Sequence, residues 1–308
     1  MKKLLSLLLA LVLVLGLTAC QSAESPAESP VESPAESPVE SPADSPADSP
    51  AESPAESPAE TQAAFQDVTL VVGATPAPHA QILNDVVKPL LAEQGITLEV
   101  SEFTDYVLPN TALEEGDLDA NYFQHISYLN NFNLEHGTNL VSAVSVHFEP
   151  LGIYAGKSSD LSAIPEGAQI AVPNDTTNEA RALQLLVALG IIELEEGVGL
   201  EATALDITAN PYNVEIVEIE AAQVPRTLQD VDFAVCNGNY ALDAGITDQL
   251  LDSEANDSEG ATAYANVLAV RAGDETRPEI QALVAALTSE EVRSYIEETY
   301  GANVVPVF

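Results

Sequence analysis

Strand-like and helix-like hydrophobic patterns alternate along the chain from about residue 66 to its end. Short apolar runs and apolar–polar alternation predict strands, which we place at residues 68–72, 96–100, 169–172, 214–219, 233–236 and 266–271. Apolar residues at helical spacing predict helices, which we place at residues 80–92, 109–116, 128–135, 176–190 and 278–300. This alternation is typical of α/β proteins with mostly parallel sheets.

One extended stretch, residues 140–155, is unusually long for a single strand. Two lobes joined by extended crossovers would need such a segment, and a folded part of about 245 residues is long enough for two lobes. We therefore predict that residues 66–147 plus 238–308 form lobe 1 and that residues 148–237 form lobe 2.

The first 19 residues have the pattern of a secretory signal peptide. Lys2 and Lys3 precede an apolar run that is too short to span a bilayer and that ends in small residues. Cys20 follows directly, which is the bacterial lipobox pattern, in which the thiol receives a diacylglycerol and becomes the first residue of the mature protein. The alternative is an ordinary signal peptide that happens to have a cysteine there. We expect an extracytoplasmic protein held at the cell membrane by lipid.

A low-complexity segment separates Cys20 from the folded part. Residues 23–58 repeat Ala/Val-Glu/Asp-Ser-Pro nine times without interruption. Proline at every fourth position and a negative charge in every repeat favour an extended, disordered chain that cannot form a core. We predict that residues 20–62 are a lipid-anchored linker, serving either as a stalk or as a neutral expansion.

Charge and cysteine content narrow the range of partners. With 49 acidic and nine basic residues, the chain has a formal net charge of −40, which excludes nucleic acid and charge-driven binding to anionic membranes. Small soluble ligands remain compatible with this charge. Cys236 is the other cysteine and lies in an apolar run, so we expect a buried free thiol and no disulfide.

Arg181 is the first candidate for ligand chemistry. It follows a predicted strand end and lies near the start of the predicted helix at 176–190, where Thr176 and Glu179 form a capping-box pattern. The helix dipole disfavours a cation near this end, so Arg181 needs an anionic partner. That partner is either one of the many acidic side chains or the carboxylate of a ligand.

Aromatic residues and amides supply the other candidates. Tyr106, Phe123, His125 and Tyr128 lie in an aromatic-rich stretch, and the pattern fits either a core or a pocket. Two asparagines stand beside strand ends, where amides either form turns or donate into a cleft; they are Asn237 and Asn266.

The sequence contains no catalytic motif that we recognise. There is no Gly-x-Ser-x-Gly, no glycine-rich phosphate loop and no His-Glu-x-x-His. The four histidines, at positions 79, 125, 136 and 147, show no metal-ligand spacing. We therefore predict a protein that is not an enzyme and that has no cofactor and no metal.

Taken together, the motifs resemble those of the NlpA family of lipoproteins over essentially all of residues 66–308. The motifs, in order, are Phe103-x-Asp105-Tyr106-Val107-x-Pro109-Asn110, Asp119-Ala120-Asn121-x-Phe123-Gln124-His125-x-x-Tyr128-Leu129, Glu149-Pro150-x-Gly152-x-Tyr154, Val172-Pro173-Asn174-Asp175-x-x-Asn178-x-x-Arg181-Ala182-Leu183 and Tyr264-x-Asn266. The resemblance implies a two-lobed periplasmic-binding-protein fold, type II-like, with two crossover hinge segments. That family supplies the methionine-binding subunit of the methionine ABC importer.

The resemblance also implies roles and partners. Arg181 would bind the carboxylate of methionine, and Asn237 and Asn266 would hydrogen-bond its head group. The side-chain pocket would be lined by Tyr106, Phe123, His125 and Tyr128. The implied partners are methionine, the permease and ATPase of an ABC importer, and the membrane through the lipid anchor, with the protein itself a monomer. Alternatives are a family member specific for a methionine-containing dipeptide or another small amino acid and, from a different class, an enzyme or a surface adhesin.

Overall fold

A computed structural model of the chain describes residues 65–255 and 263–308. The predicted signal peptide, Cys20 and the linker at 20–62 lie outside the described residues. The described strands are β1 Val68–Ala74, β2 Ile96–Glu102, β3 Ala120–His125, β4 Leu140–Phe148, β5 Gly152–Ala155, β6 Gln169–Pro173, β7 Glu193–Leu194, β8 Ile207–Ala209, β9 Glu215–Ile219, β10 Phe233–Cys236, β11 Leu250–Ser253, β12 Ala265–Arg271 and β13 Val305–Pro306.

The described α-helices are α1 Lys88–Ala92, α2 Leu108–Glu115, α3 Ile126–His136, α4 Thr176–Ala188, α5 Gly238–Asp243, α6 Pro278–Leu287 and α7 Glu290–Tyr300. Wider helical turns at Pro76–Ala80 and Leu83–Val87 precede α1. Short 3₁₀ turns occur at Leu161–Ala163, Gly199–Glu201, Ala204–Asp206, Ala221–Thr227, Thr247–Gln249, Asp274–Thr276 and Gly301–Asn303. Among the described residues, no helix has both the length and the hydrophobicity that crossing a bilayer requires.

The first sheet has six strands in the order β13-β4-β12-β3-β1-β2. Strand β1 pairs in parallel with β2 and β3, whereas β12 runs antiparallel to β3 and β4. Leu70 and Val72 of β1 belong to a buried core with Leu283 of α6 and Ile296 of α7. The C-terminal helices therefore cover one face of this sheet.

The second sheet has five strands in the order β11-β5-β10-β6-β9. Strand β6 pairs in parallel with β10 and β9, and β5 pairs antiparallel with β10 and β11. Leu183 and Leu186 of α4 pack in one core with Ile170 of β6 and Phe233 of β10. Because α4 packs on β6, the residues at its N-terminal end lie close to the carboxyl ends of β6 and β10.

The chain crosses between the sheets twice, and the two-lobed α/β fold is confirmed. The predicted long extended stretch divides at the first crossing, where β4 of the first sheet is followed by β5 of the second. The second crossing lies between β11 and β12. The predicted lobe boundaries remain a prediction. One observation differs from them: β11 pairs in the second sheet, whereas the prediction placed residues from 238 onward in lobe 1.

Two details of the sequence-based prediction are wrong. Both sheets are mixed, because the strands that flank the two crossings run antiparallel to their neighbours. The predicted helix at 278–300 is two helices, α6 and α7, because the hydroxyl of Ser289 accepts the N–H of Val292 and caps a new helix.

Candidate functional site

A cavity lined mainly by buried residues lies where elements of the two sheets meet. All seven residues predicted for the site line it: Tyr106, Phe123, His125, Tyr128, Arg181, Asn237 and Asn266. Five further residues line it as well: Gln124, Glu149, Asn178, Gly238 and Asn239. The first sheet contributes β3 and β12, and the second contributes α4 and the segment after β10.

The N-terminal end of α4 fixes the place of Arg181. The carboxylate of Asp175 is the N-cap and accepts the backbone N–H of Asn178 at 3.0 Å. The predicted capping box of Thr176 and Glu179 is therefore wrong by one residue, and Glu179 accepts the N–H of Ala204 at 3.2 Å instead. Arg181 lies in the second turn, 3% exposed.

The guanidinium of Arg181 already has one anionic partner. Its Nε and Nη2 donate to the two carboxylate oxygens of Glu254 at 2.9 and 2.5 Å, and Nη2 also donates to the carbonyl of Glu149 at 2.8 Å. The ring of Tyr264 lies 4.2 Å from the guanidinium carbon. The sequence left two possible partners for Arg181, an acidic side chain or a ligand carboxylate. The acidic side chain is present in the structure, as Glu254. Among the described residues, Nη1 has no hydrogen-bond partner and remains available to an anion in the cavity.

The two predicted asparagines present opposite polarities to the cavity. Nδ2 of Asn237 donates to Oδ1 of Asn178 at 2.8 Å, and its own Oδ1 is buried without a partner among the described residues. For Asn266 the arrangement is reversed, because its Oδ1 accepts Nε2–H of His79 at 3.1 Å. Asn237 therefore offers a hydrogen-bond acceptor, and the amide N–H group of Asn266 has no partner among the residues that the structure describes.

Three aromatic rings form one wall of the cavity. The ring centroid of Tyr106 lies 5.8 Å from that of Phe123 and 5.6 Å from that of Tyr128. The hydroxyl of Tyr106 donates to Oδ1 of Asn239 at 2.6 Å, which joins the two sides of the cavity. An apolar, polarisable surface of this kind suits a flexible thioether or aliphatic group.

His125 is fixed by protein partners on both ring nitrogens. Its Nδ1 accepts the backbone N–H of Tyr128 at 3.0 Å and caps α3, and its Nε2 donates to Oδ1 of Asn178 at 3.1 Å. Burial, assisted by the charge of Arg181, lowers the pKa of His125 to about 3. His125 is therefore neutral and contributes a ring surface to the wall.

Glu149 is the most consequential residue that the residue-by-residue analysis missed. It is buried and lines the cavity, and burial raises the pKa of its carboxyl, whereas His79, Arg181 and the backbone N–H of Asn239 act in the opposite direction. Three of these lining residues belong to the motifs that resemble those of the NlpA family: Gln124, Glu149 and Asn178. The motifs therefore marked these positions, but the residues alone indicated no chemical role for them.

Two of the four histidines gather at Glu149. One ligand atom from each of His79, His147 and Glu149 lies within 4.8 Å of the others, so the group could hold a metal ion. The distance of 2.7 Å between Nε2 of His147 and Oε1 of Glu149 is that of a hydrogen bond. Two ligands of a common tetrahedral zinc ion would lie about 3.3 Å apart. Hydrogen bonding therefore explains the close approach of His147 and Glu149 without a metal ion.

Comparison with known proteins gives a consistent result. A family model described as NlpA lipoprotein matches residues 70–308. Membrane lipoprotein TpN32 of Treponema pallidum is 44% identical over 242 residues, which cover 78% of this chain and 89% of that protein. The D-methionine-binding lipoprotein MetQ of Salmonella typhimurium is 37% identical over 76% of this chain and 86% of its own length. The structure of a nutrient-binding protein from Burkholderia cenocepacia bound to methionine matches with a TM-score of 0.74 and 42% identity, covering 78% of this chain and all of that one.

Proposed function

The chain belongs to the NlpA lipoprotein family, as its motifs predicted, and we propose that it captures methionine outside the cytoplasm for an ABC importer. The observation that carries this proposal is the composition of the cavity. A cation, amides of both polarities and an aromatic wall line one cavity. A zwitterionic amino acid with an apolar, polarisable side chain matches each of these surfaces.

In the proposed complex, the carboxylate of methionine pairs with Nη1 of Arg181 and accepts the amide N–H of Asn266. The free Oδ1 of Asn237 accepts the ammonium. A zwitterion that leaves water needs partners for both charges, and an ionised partner makes a hydrogen bond roughly twice as strong as a neutral one. Arg181 is held by Glu254, so it meets the ligand already oriented.

The thioether lies against Tyr106, Phe123, His125 and Tyr128 in this proposal. Sulfur–aromatic contacts contribute about 0.3–1.5 kcal/mol each, so several rings around one sulfur favour methionine over a branched side chain of similar size. Phe123 and His125 lie on β3 of the first sheet, whereas Arg181 lies on α4, which packs on the second sheet, so bound methionine joins the two sides. Ligand-dependent closure of this kind is a signal that a permease can read.

The anchor and the partners complete the proposal. Lipidation at Cys20 holds the protein at the cell membrane, and the linker lets the binding domain move away from the anchor. The permease and ATPase of the importer are the protein partners, and the role is binding without catalysis. Membership in the NlpA lipoprotein family supports these proposed roles.

A thermal-shift screen of the purified folded domain, followed by calorimetry, tests the proposal. The panel contains the twenty amino acids, D-methionine, a methionine-containing dipeptide and norleucine. We expect methionine to give the largest rise in Tm, with one-site binding in calorimetry. A larger shift with the dipeptide or another amino acid would contradict methionine as the ligand. Chemical conversion of any ligand would contradict the binding role.

A further inference from the structure

A buried polar cluster stands directly behind the cavity. His79 comes from the segment after β1, His147 from the end of β4, and Glu149 from the first crossing between the sheets. Both histidines are fully buried, and Glu149 is 5% exposed. Nε2 of His147 lies 2.7 Å from Oε1 of Glu149, and Nε2 of His79 lies 3.3 Å from the same oxygen.

The hydrogen-bond partners fix the proton positions on both histidines. Nδ1 of His79 faces the hydroxyl of Thr75 at 2.8 Å, and Nδ1 of His147 faces the hydroxyl of Tyr122. The oxygens that face the two Nε2 atoms, Oε1 of Glu149 and Oδ1 of Asn266, are acceptors, so each Nε2 carries the hydrogen and each hydroxyl donates to the Nδ1 that it faces. Nε2 of His147 donates to Glu149, and Nε2 of His79 donates to Oδ1 of Asn266. Burial lowers the pKa of His79 to about 4 and that of His147 to about 3. Both rings are therefore neutral, and His147 supplies the hydrogen bond to the Glu149 carboxylate.

Glu149 and Gly238 line the cavity side by side. The absence of a side chain at Gly238 allows this close approach, since a Cβ at position 238 would lie 3.0 Å from Oε2 of Glu149. Burial raises the pKa of this carboxyl, whereas the Nε2–H of His147 and the nearby Arg181 favour its ionised form. A ligand ammonium beside it would favour that form further. The cavity thus contains a carboxyl group as well as a cation.

We propose that the Glu149 carboxylate binds the α-ammonium of the ligand, and that His147 is a positioning residue that holds this carboxylate at the cavity. This inference rests on the proposed function and deepens it. It assigns the site to ligands with a free ammonium group and excludes acylated or deaminated analogues. His79 also accounts for the orientation of Asn266, since its Nε2–H meets Oδ1 of that amide at 3.1 Å.

The test compares two ligands that differ in the ammonium alone: methionine and 4-(methylthio)butanoate, which keeps the thioether and the carboxylate. Calorimetry on the folded domain should show wild-type protein preferring methionine by on the order of 30-fold or more. Glu149→Gln should remove most of that preference, weakening methionine and leaving the deaminated analogue unchanged or tighter. The matched control is Glu179→Gln, a buried glutamate outside the cavity lining, which should leave both affinities unchanged.

The positioning role has its own pair of variants. His147→Phe should lower the preference for methionine, and His147→Gln, which keeps an N–H donor, should restore much of it. A residue with a merely structural role would weaken both ligands equally. An unchanged ligand preference in Glu149→Gln, with methionine still bound by the wild type, overturns this inference alone. A wild-type protein that binds neither ligand overturns the proposed function with it.

Discussion

Arg181 has a structural partner and a proposed ligand partner, and mutation can separate the two. Its Nε and Nη2 engage Glu254, whereas Nη1 remains for the ligand carboxylate. Replacing Arg181 with alanine removes the cation from both. We therefore expect two losses, one in the stability of the unliganded protein and one in the affinity for methionine.

The stability loss follows from the burial of the pair. Breaking a buried ion pair by removing one partner costs about 3–5 kcal/mol. The Glu254 side chain keeps 16% exposure and also accepts the N–H of Leu151, so the cost should lie near the lower end. In a domain of this size, a loss of about 3 kcal/mol lowers Tm by about 6–12 °C.

The affinity loss follows from the burial of Arg181, which is 3% exposed. Truncating one member of a buried, hydrogen-bonded charge pair at a binding site costs about 2–5 kcal/mol, which is about 30- to 5000-fold in Kd. Thermal denaturation without ligand measures the first loss. Calorimetry with methionine, at a temperature where the variant is folded, measures the second.

A second substitution distinguishes the two effects. In Arg181→Ala/Glu254→Gln the unpaired carboxylate is replaced by a neutral amide, so most of the Tm should return while methionine affinity stays low. Glu254→Gln alone keeps the cation and should retain binding. Near wild-type affinity in folded Arg181→Ala, or recovery of affinity in the double variant, would refute the ligand role of Arg181.

Four further substitutions test other parts of the account. Asn237→Ala should weaken methionine binding without changing the affinity ranking of methionine, norleucine, leucine and glutamine in a competition series. Phe123→Ala should instead reduce the preference for methionine over leucine. The opposite pattern would contradict the division into head-group and side-chain contacts. Cys20→Ser should move the protein from the membrane to the soluble fraction of its native host with unchanged affinity, and retention in the membrane would place the anchor elsewhere. The pKa of His125 falls from 6.5 to about 3 on folding, so its contribution to the free energy of unfolding is complete above pH 6.5 and is lost as pH falls toward 3. In His125→Gln, the free energy of unfolding measured with denaturant should therefore change less with pH between 6.5 and 3, by about 1.4 kcal/mol per pH unit. An unchanged slope would contradict a neutral buried histidine.

Local patterns were sufficient to predict much of the fold. The strands expected at 68–72, 169–172 and 233–236 are present at Val68–Ala74, Gln169–Pro173 and Phe233–Cys236. Strand hydrophobicity is a property of neighbouring residues, so the sequence carries it directly. The break between α6 and α7 also had a local signal in Ser289 followed by two glutamates, but the apolar spacing continued through it and favoured one helix.

Pairings between distant residues could not be predicted in the same way. Arg181 and Glu254 are 73 positions apart, and His79 and Asn266 are 187 apart. The sequence indicated that Arg181 needed an anion, yet many acidic residues could have supplied it. The choice depends on the pairing of β11 with β5, after which Glu254 lies within hydrogen-bond distance of Arg181. The same long-range assembly gathers His79 and His147 at Glu149.

A crystal structure of the protein grown with methionine tests the central claim most directly. We expect the carboxylate of methionine at Nη1 of Arg181, its ammonium between Glu149 and Oδ1 of Asn237, and its thioether against the ring of Phe123. A cavity that stays without ligand at saturating methionine would contradict the account. So would a bound methionine whose side chain, in place of its carboxylate, faces Arg181.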